Sequence, residues 1–478
     1  MYVGIDVGTS AVKAAAFDER GRELAVESRP VALDIRGGFV EQDMDAVYAA
    51  VTDVLTALTA GLTGHRVELA GLTGQGDGVW LVDAEGRPVR AAISWMDGRA
   101  HELLDEWMAS GVFTSVFRRT GGAMFPGSPG PLLGWLDRHE PKALDGATAA
   151  LYCKDMVFQR LTGVRATDVS DASMPFLDPR TRQYDGDTLA LLGLSHRRGL
   201  LAPVKDPLAV AETHGPGLPP GTPIADGPYD LPACALGAGV TRPGDGLLII
   251  GTCLASLVAT DTLDLAGEPA GLHISTDTPG HWLRAMPAMV GTAALDWVLN
   301  TTGVRHADVD ALLDATEPGA HGVQVLPYFA PSGERAPFVE PHLRAELTGV
   351  SLETTKGDLI RATSEGIGFA ARHCLEAAGL TGDLAVCGGG TRSPAWMRLF
   401  ADVLGRPLRV VEGEVGARGA VLAAAARYGV PLDAAAWTAP TAIVEPDPER
   451  ARFYARGYAA HLARLAESRT RARARAGG

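Results

Sequence analysis

Apolar and polar positions alternate at the start of the chain in a way that predicts a β-meander. Its strands are 3–7, 11–17 and 23–33, with turns at Gly8-Thr9 and Glu19-Arg20-Gly21. Apolar spacing over 45–58 predicts a helix. A buried strand at 69–73 runs into Gly74-Gln75-Gly76-Asp77-Gly78, and 79–82 pairs with 91–94 around the turn 84–87. A helical and loop-rich stretch follows to about 200, then a Gly- and Pro-dense surface turn at 213–222. Next come a strand at 223–226, a turn at 227–230 and a small-residue helix at 231–238. The segment 241–246 reads as a domain boundary. Beyond it 247–260 repeats the opening pattern: apolar strand, Gly251-Thr252 turn, apolar strand. Helices are expected at 292–299 and 356–378, a strand at 384–387 with a Gly388-Gly389-Gly390 turn, and a last helix at 417–427. The alternation of Arg with small residues over 468–478 predicts a disordered tail.

Composition narrows the class. At 478 residues the chain suits two domains, and 46% hydrophobic with 21% charged residues is ordinary for a soluble globular protein. A formal charge of -14 argues against nucleic-acid binding. Five scattered cysteines without metal-ligand spacing fit a reducing cytoplasm. No apolar run has the length to span a membrane, and the first residues carry no signal-peptide pattern.

The repeated hairpin carries the first chemistry. A Gly-Thr turn lets backbone N–H groups approach an anion closely, and two such turns suggest two related halves gripping one polyphosphate. Gly8, Thr9 and Ser10 would supply donors, with Gly251 and Thr252 their counterparts in the second half. Only the first copy carries an acid, Asp6, suited to Mg²⁺ through water, and a base, Lys13, suited to the transferred phosphoryl group. Asp230 precedes Leu231-Pro232, so local sequence reads it as a helix N-cap with proline in the first turn. Gln75-Gly76-Asp77 reads locally as a polar turn, and Trp95, ending an apolar strand, as core.

These segments together resemble the FGGY family of carbohydrate kinases over nearly the whole chain. The resemblance rests on Asp6 to Lys13, Gly74 to Gly78, Trp95 to Ala100, Lys154-Asp155, Tyr229-Asp230, Gly251-Thr252, Gly333 to Pro337 and Gly388 to Gly390 with Ser393 and Trp396. It also rests on the stretch Ala345 to Glu365, in which Ser364 replaces the usual apolar residue, while Pro131 stands where a lysine often sits. The resemblance implies an α/β fold of two actin-like (ribonuclease H-like) ATPase domains, 1–241 and 242–467, with a nucleotide and sugar cleft between them. It implies phosphoryl transfer from ATP, with Mg²⁺, to a small sugar or polyol. Asp230 would be the catalytic base, and Gln75, Gly76, Asp77, Asp230 and Trp95 would line the acceptor pocket. Gly291, Gly389 and Gly390 would join the nucleotide contacts. Glycerol kinases usually carry Arg-Glu at positions 76 and 77 and xylulokinases Met-His; Gly-Asp is expected nearer erythritol and L-xylulose kinases. The acceptor is thus a ketopentose such as xylulose or an erythritol-type polyol, with glycerol and ribulose as alternatives. A homodimer is allowed. The rival class is an actin-like ATPase coupled to a protein partner; it leaves Gln75 to Asp77 and Asp230 unexplained.

Overall fold

The structure is a computed structural model describing residues 1–62 and 64–476. Compactness divides the chain into two units, and the division is not a single cut near 241. The first unit comprises 1–241, 261–283 and 413–439; the second comprises 242–260, 284–412 and 440–478.

The first unit is built on a six-stranded sheet ordered Val210–Glu212, Pro223–Asp226, Leu69–Gly74, Tyr2–Val7, Ala11–Phe17, Glu23–Pro30. The first hairpin is antiparallel and places Asp6 opposite Lys13 next to the Gly8-Thr9 turn. Tyr2–Val7 runs parallel to Leu69–Gly74, which runs parallel to Pro223–Asp226. Three segments expected to carry chemistry therefore leave the sheet at the same strand ends. The third strand ends at Pro30, short of the expected 33, although Val31 N still donates to Ser10 O at 3.0 Å. Helix Met44–Gly61, capped by the Asp43 carboxylate, buries Val47, Val51, Val54, Leu55 and Leu58 against the sheet.

Helix Val415–Tyr428 belongs to this unit and packs backbone to backbone. A Cβ on Gly4 would lie 2.2 Å from Ala417 O, and one on Gly71 2.1 Å from Ala420 O. Against helix Asp230–Gly237, a Cβ on Gly419 would lie 1.8 Å from Ala233 O, and one on Gly237 2.0 Å from Val415 O. Glycine is required at these four positions because the neighbour is main chain, which cannot swing aside.

In the second unit Leu254–Thr260, Gly246–Ile250, Leu384–Cys387, Leu408–Val410 and Ala442–Val444 are neighbours in that order. The second Gly-Thr hairpin is antiparallel from Gly246 opposite Val258 to Ile250 opposite Leu254. Helix Lys356–Ala378 opens with a reciprocal Thr355–Asp358 capping box and buries Ile360, Ile367, Ala371 and Leu375 in the unit's core.

The expected last helix is not the last. A longer one, Pro448–Ala476, follows it. The expected disordered tail is corrected as far as Ala476: Ser468 is buried and donates to Glu346, Arg471 pairs with Glu346 at 2.8 Å, and Arg473 pairs with Glu340 at 2.6 Å. The arginines that look solvating in sequence have acidic partners more than a hundred residues away. Gly477 and Gly478 lie outside the described residues.

Candidate active site

The Gly8-Thr9 turn and the Gln75 to Asp77 turn are tied into one hydrogen-bonded ring. Trp95 Nε1 donates to Thr9 Oγ1 at 2.8 Å, and Thr9 Oγ1 donates to Gln75 Oε1 at 3.1 Å. Gln75 Nε2 donates to Gln42 Oε1 at 2.8 Å, and Gln42 Nε2 returns to Thr9 O at 3.0 Å. The Thr9 hydroxyl is therefore engaged within the protein, and what Thr9 retains for an anion is its backbone N–H. Gln42 was invisible as a site residue because nothing near it in sequence marks it. Trp95 is half-buried, with its indole N–H held by the turn. Asp97, from the same segment, is structural: it accepts from Val40 N at 2.6 Å and from Arg99 Nε at 2.8 Å.

Lys13 Nζ lies 3.0 and 3.1 Å from the two carboxylate oxygens of Glu414, a residue at the mouth of helix Val415–Tyr428. Asp6 faces the same helix start; a Cβ on Gly416 would lie 3.2 Å from its Oδ2. Asp6 Oδ1 is buried without a hydrogen-bond partner. Burial, reinforced by Glu414 and opposed by Lys13, pushes the Asp6 pKa up to about 6. A carboxylate oxygen without a partner in such a place fits a cation with its own water shell, which suits Mg²⁺.

Asp230 is the first residue of helix Asp230–Gly237, and Tyr229 takes the N-cap position that local sequence assigns to Asp230. Although partly open to solvent, Asp230 is surrounded by enough protein that burial pushes its pKa up to about 8, with the Asp6 and Asp77 charges adding to the rise. The Leu231 N–H opposes it. Asp77 has φ 58° and is followed by Gly78 at φ 71°, a tight left-handed turn. Asp6, Asp77 and Asp230 thus interact electrostatically within one unit.

The first unit also holds a buried charged centre around Lys154. Lys154 has no exposed side-chain surface and reaches Asp155 at 2.6 Å, Asp168 at 3.1 Å, and Asp171 and Asp226 at 3.2 Å each. Burial disfavours its charge, yet the four carboxylates raise its pKa well above the ordinary lysine value. Burial in turn raises Asp171 and Asp226 well above the carboxylate range, against the pull of Lys154. Asp226 ends the strand that leads to Asp230, so the centre anchors the loop before Asp230.

In the second unit Thr292 N donates to Gly251 O at 2.9 Å, and Ala293 N to Thr252 O at 3.3 Å. A Cβ on Gly291 would lie 2.3 Å from Thr252 O, so glycine there permits close approach to the second turn. Of the glycine triplet, Gly390 packs on Ile250 and Trp396, whereas Gly389 has open space where a side chain would stand. The Gly333 to Pro337 loop has a physical account. Glu334 Oε1 accepts from Met289 N and Arg335 N at 2.8 Å each and from Ala336 N at 3.3 Å. Arg335 Nε donates to Pro287 O at 2.9 Å. The loop holds the strand that delivers Gly291.

A glycine-containing turn, a buried carboxylate oxygen without a partner, a nearby lysine and the Asp230 carboxylate therefore lie in the first unit. The chain matches the model of the FGGY family of carbohydrate kinases, N-terminal domain, over residues 1–237 and that of the C-terminal domain over 246–428. It is 36% identical over 503 aligned positions to an erythritol kinase of Brucella abortus, covering 98% of this chain and 96% of that one. It is 30% identical to a xylulose kinase of Escherichia coli, covering 87% of each. The crystal structure of a xylulose kinase from Rhodospirillum rubrum superposes with TM-score 0.88 at 29% identity, covering 98% and 99% of the two chains. The chain belongs to the FGGY family of carbohydrate kinases, which phosphorylate small sugars or polyols with ATP. Among the described residues no helix is long and apolar enough to cross a membrane.

Proposed function

We propose that this kinase phosphorylates a terminal hydroxyl of a four-carbon polyol of the erythritol type, with Asp230 as general base. The carrying observation is the end-to-end match to an erythritol kinase, higher in identity and coverage than that to the xylulose kinase above. Asp230 accepts the proton of the attacking hydroxyl; its raised pKa suits it to hold that proton near neutral pH. Asp77 accepts hydrogen bonds from acceptor hydroxyls, beside Gln75, Gly76 and the half-buried Trp95. The N–H groups of Gly8, Thr9 and Ser10, with Lys13, receive the transferred phosphoryl group. On binding, Lys13 exchanges Glu414 for phosphate oxygen.

Gly251, Thr252, Gly291, Gly389 and Gly390 serve the nucleotide, with Gly389 the member of the triplet open to a ligand and Gly390 supporting it. Asp6 would hold Mg²⁺ through water, and that ion would neutralise charge on the phosphate oxygens when bound. None of the five cysteines is joined in a disulfide, which supports a cytoplasmic enzyme.

ADP release with Mg·ATP over erythritol, glycerol, D- and L-xylulose, D-ribulose and a blank tests this reading. Release with erythritol foremost, lost in Asp230→Ala, is expected. Release in the blank at the same rate, unaffected by the substitution, refutes it.

A further inference from the structure

Position 76 is glycine, and the space its side chain would take is filled from elsewhere. A Cβ there would lie 2.6 Å from Tyr229 Cδ2 and 2.9 Å from Cε2, so the tyrosine ring occupies the space a side chain at position 76 would need. The ring is buried, and its phenol interacts electrostatically with both Asp77 and Asp230. Tyr229 directly precedes Asp230 in the chain, and its ring packs on Gly76, the residue before Asp77; Asp77 and Asp230 are the two carboxylates assigned to the acceptor.

The ring has little freedom to move. Tyr229 N donates to Ser170 Oγ at 3.2 Å, and its hydroxyl meets Met174 Sδ at 3.6 Å. Tyr152 Oη fastens Met174 by its carbonyl at 3.2 Å, and Thr73 Oγ1 fastens Pro228 O at 2.7 Å. A wall held at backbone, ring and hydroxyl tip does not yield to a longer acceptor. Swinging it out would leave the Tyr229 hydroxyl unpaired in a buried place.

We infer that Tyr229, seated in the room left by Gly76, is the specificity-determining wall that limits the acceptor to four carbons. This rests on the polyol reading above and goes beyond it by naming the residue that sets chain length. Removing the phenol ring frees more room than one added hydroxymethylene unit occupies. A single such unit in a shaped pocket changes kcat/KM by about 10- to 200-fold.

The test uses the full-length enzyme with Mg·ATP and measures kcat/KM for erythritol and for the five-carbon acceptors ribitol and D-xylulose. In Tyr229→Ala the five-carbon to four-carbon ratio is expected to rise at least tenfold. Tyr229→Leu, which keeps an apolar side chain, is expected to move the ratio in the same direction and guards against a folding failure. Gly76→Ala is expected to depress activity on every acceptor by pushing the ring, and adding Tyr229→Ala to relieve that loss. A ratio unchanged within threefold in both Tyr229 variants, with the wild type still preferring erythritol, overturns this inference alone. A wild type that prefers five-carbon acceptors overturns the polyol reading and this one with it.

Discussion

Replacing Lys154 by methionine keeps the length of the side chain and removes its charge. Four carboxylates within 2.6–3.2 Å then lose the cation they share. All five groups are buried, so water screens none of the loss. Breaking a buried ion pair from one side costs about 3–5 kcal/mol, against a total stability of roughly 5–15 kcal/mol for an ordinary domain. At roughly 2–4 °C per kcal/mol for a body of this size, the first unit should melt about 6–20 °C lower. The second unit need not melt with it, so the transitions are followed separately by calorimetry.

The pH dependence separates charge from packing. In the variant the folded-state pKa values of Asp155, Asp171 and Asp226, already raised, rise further. The folded variant then binds more protons than its unfolded chain above the ordinary aspartate pKa, so its stability falls as pH rises. Its deficit against wild type should accordingly be larger at pH 8 than at pH 5.5. A deficit equal at both pH values, or a shift under 2 °C, would refute the reasoning and leave only the packing of a long side chain.

Three further outcomes follow from the geometry. Asp230→Asn should lower kcat by about 10²–10⁴-fold, and wild-type kcat/KM should fall about tenfold per pH unit below the Asp230 pKa of about 8; a flat profile from pH 6 to 9 contradicts the base assignment. Gly419→Ala should destabilise the first unit by about 1–3 kcal/mol or more, since its Cβ meets a main-chain oxygen at 1.8 Å, whereas Gly199→Ala, with open space around it, should be neutral in the same urea titration. His461 is buried with both ring nitrogens unpartnered, and burial, with Arg464 and His373, lowers its pKa to about 3. Its folded pKa lies below the unfolded 6.5, so the second unit should lose about 1.4 kcal/mol per pH unit as acid is added below 6.5. His461→Leu should flatten that slope; an unchanged slope assigns the acid lability elsewhere.

What was legible in the sequence was local. Both Gly-Thr hairpins stand out because turn chemistry and strand alternation are written within about fifteen residues. The loop at Asp230 is visible for the same reason, although the cap itself fell to Tyr229, one residue earlier. Lys13 meeting Glu414 spans 401 positions, and no pattern near either residue announces it. Lys154 sits among acids drawn from three separate segments, so its centre exists only once the sheet has formed. The Arg-rich end reads as solvated because its acidic partners, Glu340 and Glu346, are distant in sequence.

The first unit is assembled from three stretches, the last of them 413–439. A ribosome making this chain emits the two central strands, Tyr2–Val7 and Leu69–Gly74, early, yet the helix that covers Gly4 and Gly71 appears only after the bulk of the second unit. At roughly 5–20 residues per second the nascent sheet waits on the order of ten seconds or more for its missing layer. During that interval an apolar face stands uncovered, exposed to chaperones, proteases and other nascent chains. Cutting the gene at the apparent midpoint boundary would make the wait permanent, so the N-terminal half cannot serve as a separable module for expression, fusion or shuffling.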